Sequence, residues 1–383
     1  MTATYRADHV GSLLRPPDVL EAHTKYEQGQ LPLEELRKIE DRAILEALDM
    51  QRQVGLEVLS DGEYRRQSWA GDFYEAVDGY VDGPLPIRFD WRLPDGAPRT
   101  PSAQQEVEQM RQSVPMQSGR VIGERLRQKR RLTEHESGFM KQHAGTNYKV
   151  TQPAASYIVT RSYNPSVSGK AYPTRQQLCE EVARIVASEV QALAAEGVPY
   201  IQIDNAHYPD YIPQERREQM RSIGIDPDTA LAEDIAADNA TLRVDRSRHV
   251  VAMHICRGNG RSAYHTSGPY DAIAEQVFGG LDVDRFLLEY DDPNREGGFE
   301  PLRFIPKGKQ VVLGLVTTKV GQLESQDVLL KRIEEAAKYV PMENLALSPQ
   351  CGFASVIQGN LISPDEQRRK LELVVETARK AWG

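Results

Sequence analysis

Four residues of this 383-residue chain have the types and placement to hold a metal ion: His254 and Cys256 in HVVAMHIC, Glu289 in FLLE, and Cys351 in SPQCG. Residues two apart on a strand point to the same face, so His254 and Cys256 are delivered side by side at one strand end. Alone, a His-x-Cys pair is a weak signal, because buried cysteines and satisfied histidines are common in core strands. Cys351 and Glu289 change the balance, since each falls at or just past the end of another apolar run. One imidazole, two thiolates and a carboxylate suit a tetrahedral zinc ion. Such a thiolate-rich site is a poor hydrolytic Lewis acid. It is well matched to binding a substrate thiol, lowering its pKa from roughly 8.5, and presenting it for alkylation. Cys179, on the apolar stripe of a helix, reads as packing.

Other polar residues stand at the ends of apolar runs. Val10, Gly11 and Ser12 close the first, Asp61-Gly62-Glu63 the second, and Asp204 follows Tyr200-Ile201-Gln202-Ile203. Glu63 and Asp204 together supply the negative pocket that an amino-acid ammonium needs.

The elements that must position these residues alternate. Strands are expected at Ala7–Leu13, Leu56–Asp61, Tyr148–Thr151, Tyr200–Asp204, Val250–Cys256, Arg285–Glu289, Val311–Val316 and Leu345–Gln350. Helical spacing marks Leu33–Gln53, Arg175–Glu196, Asp228–Val244, Ser325–Tyr339 and Pro364–Trp382. Strands alternating with helices at this length predict an α/β fold, a (β/α)8 TIM barrel as a single catalytic domain over 1–383, in which active sites form at the C-terminal strand ends. The stretch Gly62–Asn147 is too long for a crossover, so residues 81–146 are expected to form an insertion or lid. Val81–Arg99 reads as loop and Ala103–Arg131 as helix-forming, ending in RLRQKRR. The five positive charges of Arg125 to Arg131 read as a solvated helix face, with an anion-binding lid as the alternative.

Composition narrows the function. A net charge of −9 without a concentrated basic excess gives no support to a nucleic-acid partner. With no run of about 18 apolar residues and no signal-peptide pattern, a cytoplasmic enzyme acting on small molecules is expected. Three scattered cysteines do not make a disulfide framework.

The ordered motifs HVGS, SDGE, IQIDNA, HIC, the Glu289 strand, LGLVTTK and SPQCGF cover nearly the whole chain. In these the chain resembles the cobalamin-independent methionine synthases, specifically their catalytic C-terminal barrel and its stand-alone bacterial relatives. The resemblance implies zinc held by His254, Cys256, Glu289 and Cys351. It also implies homocysteine held by Val10, Gly11, Ser12, Glu63 and Asp204, a methyl group taken from 5-methyltetrahydrofolate, and Asp210 at the folate site. The chain departs from the family in three places. The full-length enzymes' additional N-terminal barrel has no room here. Thr317-Thr318-Lys319 replaces a proton-donating Asp-x-His pair, so that Lys319 either substitutes for the acid or binds an anion. No tryptophan follows the third strand, although Tyr157 lies where it could stack on a pterin. Two other readings stay open: a zinc thiol alkyltransferase similar to those that add coenzyme M to epoxides, and a metal-free barrel resembling the uroporphyrinogen decarboxylases.

Overall fold

A computed structural model describes residues 5–87, 89–98 and 120–383. Six parallel strands form one sheet in chain order. Numbered with the two strands of a separate hairpin, β1 (Val77–Asp82) and β2 (Arg120–Gln128), they are β3 (Lys149–Pro153), β4 (Tyr200–Asn205), β5 (Val250–Ile255), β6 (Arg285–Glu289), β7 (Gln310–Val316) and β8 (Leu345–Pro349). Each matches an expected strand to within a residue or two. The first two expected strands are different. They are reduced to single parallel bridges, Ala7 with Leu347 of β8 and Leu59 with Tyr148 beside β3. Gly11, at φ +147°, breaks the extended run of the first. The two segments meet through Leu13 N–H donating to the Gly62 carbonyl (3.0 Å) and Ser60 Oγ to the Gly11 carbonyl (2.6 Å). Scattered bonds of this kind take the place of a ladder where the (β/α)8 ring closes.

The barrel is legible in how its apolar residues divide. Along β5, Val251, Met253 and Ile255 face outward into the large core shared with the helices, while Val250 and Ala252 belong to a second, separate cluster. Tyr5, Val10, Val58, Tyr200, Leu287, Val312 and Ala346 complete that inner cluster, so nearly every segment of the ring contributes to it. An interior packed separately from the sheet–helix layer is the signature of a closed barrel.

The floor of the ring, level with Tyr200 and Ala252 of this cluster, also carries buried charge. Lys149 Nζ donates to Asp8 Oδ1 (2.7 Å) and Gln202 Oε1 (2.8 Å), and Tyr200 donates to Asp8 Oδ2 (3.0 Å), with Arg285 3.4 Å away. Lys149 and Arg285 hold the Asp8 carboxyl below the usual carboxylate range against its burial. Gln202 then donates upward to Asp204 (2.7 Å), linking the floor to the far end of the barrel.

The helices carry ordinary local signals. Thr174 caps Arg175–Glu196, which stops at Gly197 (φ +85°), and Ser363 with Glu366 forms a capping box on Pro364–Trp382. The helix expected over Asp228–Val244 runs Pro227–Thr241, and that over Ser325–Tyr339 runs Gln326–Ala336. Among the described residues, no helix is long and apolar enough to cross a membrane.

The helix expected over Ala103–Arg131 requires correction. Residues 103–119 lie outside the described residues, and Arg120–Gln128 is a strand paired antiparallel with Val77–Asp82. β-Branched Val121 and Ile122 bury against the body, and pairing with β1 overrides the helix propensity of the neighbouring charged residues. The basic heptad therefore lies on and just after a strand rather than a helix, and it stays largely solvated, with Arg125, Arg127 and Lys129 exposed while making local pairs. Arg127 and Lys129 pair with Asp78 (2.7 and 2.9 Å), Arg130 with Glu75 (3.1 Å) and Arg131 with Glu189 (2.7 Å), while Arg125 lies over the Tyr172 ring.

Asp8→Ala leaves Lys149 and Arg285 buried without a counter-ion. It is expected to destabilise the fold by about 3–5 kcal/mol, read as a lower urea midpoint at unchanged m-value. A loss under about 1 kcal/mol would mean the floor is not the buried ion cluster described.

Candidate metal centre

The strand period that separates the two apolar clusters also sorts the polar residues. Above Val250 and Ala252, the same face of β5 carries His254 and then Cys256. β4 ends its inner face in Asp204 and β6 in Glu289. Cys351 follows β8. One ligand atom from each of His254, Cys256, Glu289 and Cys351 lies within 4.8 Å of the others, and all four residues are buried. Gly314 of β7 stands in register with Glu289 on one side and Ser348 on the other. A side chain there would come within 2.7 Å of the Gln350 Cα and 2.8 Å of the Leu288 carbonyl. Its absence lets the ends of β6, β7 and β8 converge.

The donor atoms are prepared for an ion. His254 Nδ1 faces the Leu287 carbonyl (3.3 Å), which leaves Nε2 as the nitrogen with a free lone pair. That Nε2 and Glu289 Oε1 are both buried without a hydrogen-bond partner. Glu289 Oε2 accepts from Arg257 N–H (3.1 Å), and Cys256 Sγ accepts from Gly258 N–H (3.3 Å). The two sulfurs are 3.4 Å apart. Their contact divides one proton unequally: Cys256 holds the Cys351 thiol well below its ordinary range, while Cys351 and burial push Cys256 up. His254, opposed by burial but facing Cys351, is raised to about 9. Burial raises Glu289 to about 7, with Lys319 pulling the other way. A cation bound by all four would displace these protons and satisfy both orphaned atoms. The residues present therefore fit a metal ion.

A pocket enclosing roughly 1040 Å³, mouth included, opens onto this set. One wall is acidic and comes from Val10, Ser12, Glu63 and Asp204. Glu63 Oε1 accepts from Thr151 (2.8 Å), but Oε2 is buried without a partner. Burial raises Asp204 to about 7, with His254 opposing, and raises Glu63 as well. Glu63 adopts φ +59°, a strained left-handed conformation, clamped by Arg15 Nη2 donating to the carbonyls of Glu63 and Arg66 (both 2.6 Å). A side chain at Gly11 would meet Glu63 Oε1 at 3.0 Å, so glycine there makes room for the carboxylate.

The opposite wall is aromatic. Trp69 and Tyr157 pack with centroids 4.3 Å apart, while Phe89 stacks on His265 (4.0 Å) with Trp91 at its edge (5.1 Å). Arg161 lines the same wall, over Phe89 at 4.2 Å, with Nη1 unpartnered. Thus Tyr157 lies on the pocket, and the tryptophan beside it, Trp69, comes from the segment before β1. Two expected residues lie elsewhere. Asp210 sits behind the wall, bonded to His207 (3.2 Å) and Thr266 (2.8 Å), its carboxyl held far below the usual range by His265 and His207 despite burial. Lys319 is buried beside the ligand set with Nζ unpartnered, and does not line the pocket.

Sequence reasoning missed Trp69, Phe89, Trp91, Arg161 and His265. For Phe89 and Trp91 a signal existed: two aromatics two apart inside a Pro- and Gly-rich loop have no local packing purpose. For His265 there was none, because its role depends on contacts with distant segments.

Comparison with known proteins agrees with this geometry. A family model described as the cobalamin-independent synthase catalytic domain matches residues 163–380. The uncharacterized protein YxjH of Bacillus subtilis is 35% identical over 99% of this chain and 95% of its own length. A methionine synthase of Saccharolobus solfataricus is 23% identical over 94% of this chain and 95% of its own. Among solved structures, a Listeria monocytogenes protein assigned as a vitamin-B12-independent methionine synthase superposes with a TM-score of 0.70 at 29% identity, covering 100% of this chain and 99% of the other. With the family model spanning more than half the chain and a relative aligned end to end, the chain belongs to the cobalamin-independent methionine synthase catalytic-domain family.

Proposed function

We propose that the chain is a zinc-dependent S-methyltransferase that methylates a small amino-acid thiol, homocysteine, to the thioether methionine, with a methylated reduced folate such as 5-methyltetrahydrofolate as donor. The observation that carries this reading is the meeting, in one pocket, of a His/Cys/Glu/Cys set and two buried carboxylates, Asp204 and Glu63, the latter with an unpartnered oxygen. Bound there, zinc would lower the pKa of an entering thiol and hold it as a nucleophile.

The chain's own residues do the rest. Glu63 and Asp204 present negative charge to the substrate ammonium, whose arrival satisfies Glu63 Oε2 and relieves the cost of their burial. Thr151 and Arg15 keep Glu63 in place. Glu289 would be one of the residues that hold the zinc, and Lys319 lies where it offers that carboxylate a neighbouring positive charge. Trp69 and Tyr157 form a flat apolar surface of the kind a planar heterocyclic donor stacks on, and Arg161 suits an electron-rich or anionic one. The same acidic wall counts against coenzyme M, whose sulfonate it would repel. The orphaned ligand atoms count against a metal-free decarboxylase. Asp78, Glu75 and Glu189, paired with Arg127, Lys129, Arg130 and Arg131, offset part of the positive charge that the heptad could offer a polyglutamate tail.

The purified protein is expected to carry about one zinc per chain, and Cys256→Ser or Cys351→Ser to lose most of it while keeping the wild-type circular dichroism. Stoichiometric zinc in both variants would remove the proposed ligand set.

Asp204→Asn is expected to raise KM for homocysteine about tenfold or more at unchanged zinc content. Coenzyme M, tested as an alternative thiol, has no ammonium and should show no such penalty. An equal effect on both thiols would rule out the ammonium role.

A further inference from the structure

Methyl transfer from an amine nitrogen has a requirement that neither the ligand set nor the acidic wall meets. As the S–CH3 bond forms and the N–CH3 bond breaks, the bonding pair stays on the donor nitrogen, which must gain a proton. Lys319 is not on the pocket surface, and on the aromatic wall burial raises the Tyr157 phenol further from neutrality, which leaves the His265 imidazole as the group suited to exchange a proton. We propose that His265, oriented by Thr266 and Asp210, is the general acid that protonates the leaving nitrogen of the methyl donor. This rests on the methyl-transfer reading above.

The hydrogen-bond pattern fixes the ring. Thr266 Oγ1 lies 2.7 Å from His265 Nδ1 and 2.8 Å from Asp210 Oδ1. The buried, ionised Asp210 can only accept, so the Thr266 hydroxyl donates to it and accepts from Nδ1–H. Asp210 Oδ1 is itself 3.5 Å from Nδ1. With Nδ1 committed as donor, Nε2 is the nitrogen that exchanges a proton. Asp210 is in turn held by His207, whose other nitrogen lies 3.3 Å from Asp234, and Asp234 pairs with Arg175. This buried chain of alternating charge keeps the carboxylate, and so the imidazole, in one orientation.

Placement agrees. His265 lines the pocket, stacked on Phe89 and edge-on to Trp91. Its ring also lies against Gly258, where any side chain would collide with it at 2.2 Å. Gly258 N–H bonds the sulfur of Cys256, so one residue separates the imidazole from the ligand set. The charged and titratable groups acting on His265 are Asp210, Arg216 and Arg161. Burial and the two arginines lower its proton affinity and Asp210 raises it, with a net lowering. The overall reaction balances: the thiol loses its proton to solvent, sulfur gains the methyl group, nitrogen takes the proton from Nε2, and solvent reprotonates His265.

The test compares two donors on the zinc-loaded enzyme with homocysteine: 5-methyltetrahydrofolate, whose nitrogen must be protonated, and methyl iodide, whose leaving iodide needs no proton. His265→Gln is expected to lower kcat with the folate about 10²–10³-fold, to leave alkylation by methyl iodide within about twofold of wild type, and to regain folate activity with added imidazole. The limb of the pH–rate profile that reports an essential acid should disappear with the folate alone. Equal losses with both donors, or full folate activity in the variant, would overturn this inference and leave the methyltransferase reading intact. A wild-type enzyme that alkylates homocysteine with methyl iodide but accepts no N-methyl donor would overturn the donor assignment and this inference with it.

Discussion

The two-residue repeat of a β-strand, imposed on parallel strands closed into a ring, is the constraint on which the rest of the structure depends. It sends alternate side chains into a space wide enough for one layer at a time. In β5 the repeat reads Val250, Ala252, His254 and Cys256 on one face, passing from apolar filling to ligands within a single strand. In β4 it reads Tyr200, Gln202 and Asp204, and in β6 Arg285, Leu287 and Glu289. Shifting either strand by one residue would put Ile203 or Leu288 into the pocket and bury the carboxylate against a helix.

The second organising factor is the cost of buried charge. At the floor, Asp8 is balanced within the protein by Lys149 and Arg285. At the mouth, Glu63, Asp204 and Glu289 are incompletely balanced, and burial raises all three. Gln202 is bonded to both levels, accepting from Lys149 and donating to Asp204, so the carboxylate is fixed in position while its charge is left mostly uncompensated. The Gln202 amide thus bridges the balanced charges of the floor and the unbalanced carboxylate of the pocket.

Much of this was legible in the sequence, because it depends on local period and residue type. The six regular strands, the principal helices and the four-residue ligand set needed only apolar runs and the polar residues that close them. What was misread depended on partners distant in the chain. Arg120–Gln128 has helix-forming neighbours, but β1 supplies a ladder that composition cannot reveal. Ala7 and Leu59 lie in apolar runs that fit strands, yet Gly11 and the polar residues around Glu63 turn the chain after one bridge each. Asp210 has the right type and lies close to the site, but the backbone after β4 turns it behind the wall, and His265, bonded to it through Thr266, lines the pocket instead.

The two walls of the pocket are built on different kinds of support, and this has an evolutionary consequence. Asp204, His254, Glu289, Cys256 and Cys351 are tied to strand ends, where an inserted or deleted residue would scramble the register of the ring. Phe89 and Trp91 come from the segment joining β1 to β2, outside the barrel, where length can vary without moving any strand. The Phe89 and Trp91 part of the aromatic side is therefore free to diversify among relatives, while Tyr157 and Arg161, on the helix after β3, and the acidic side stay tied to the barrel. Relatives that diverge should differ first in what meets the Phe89 and Trp91 side of the pocket, and last in what the acidic side holds.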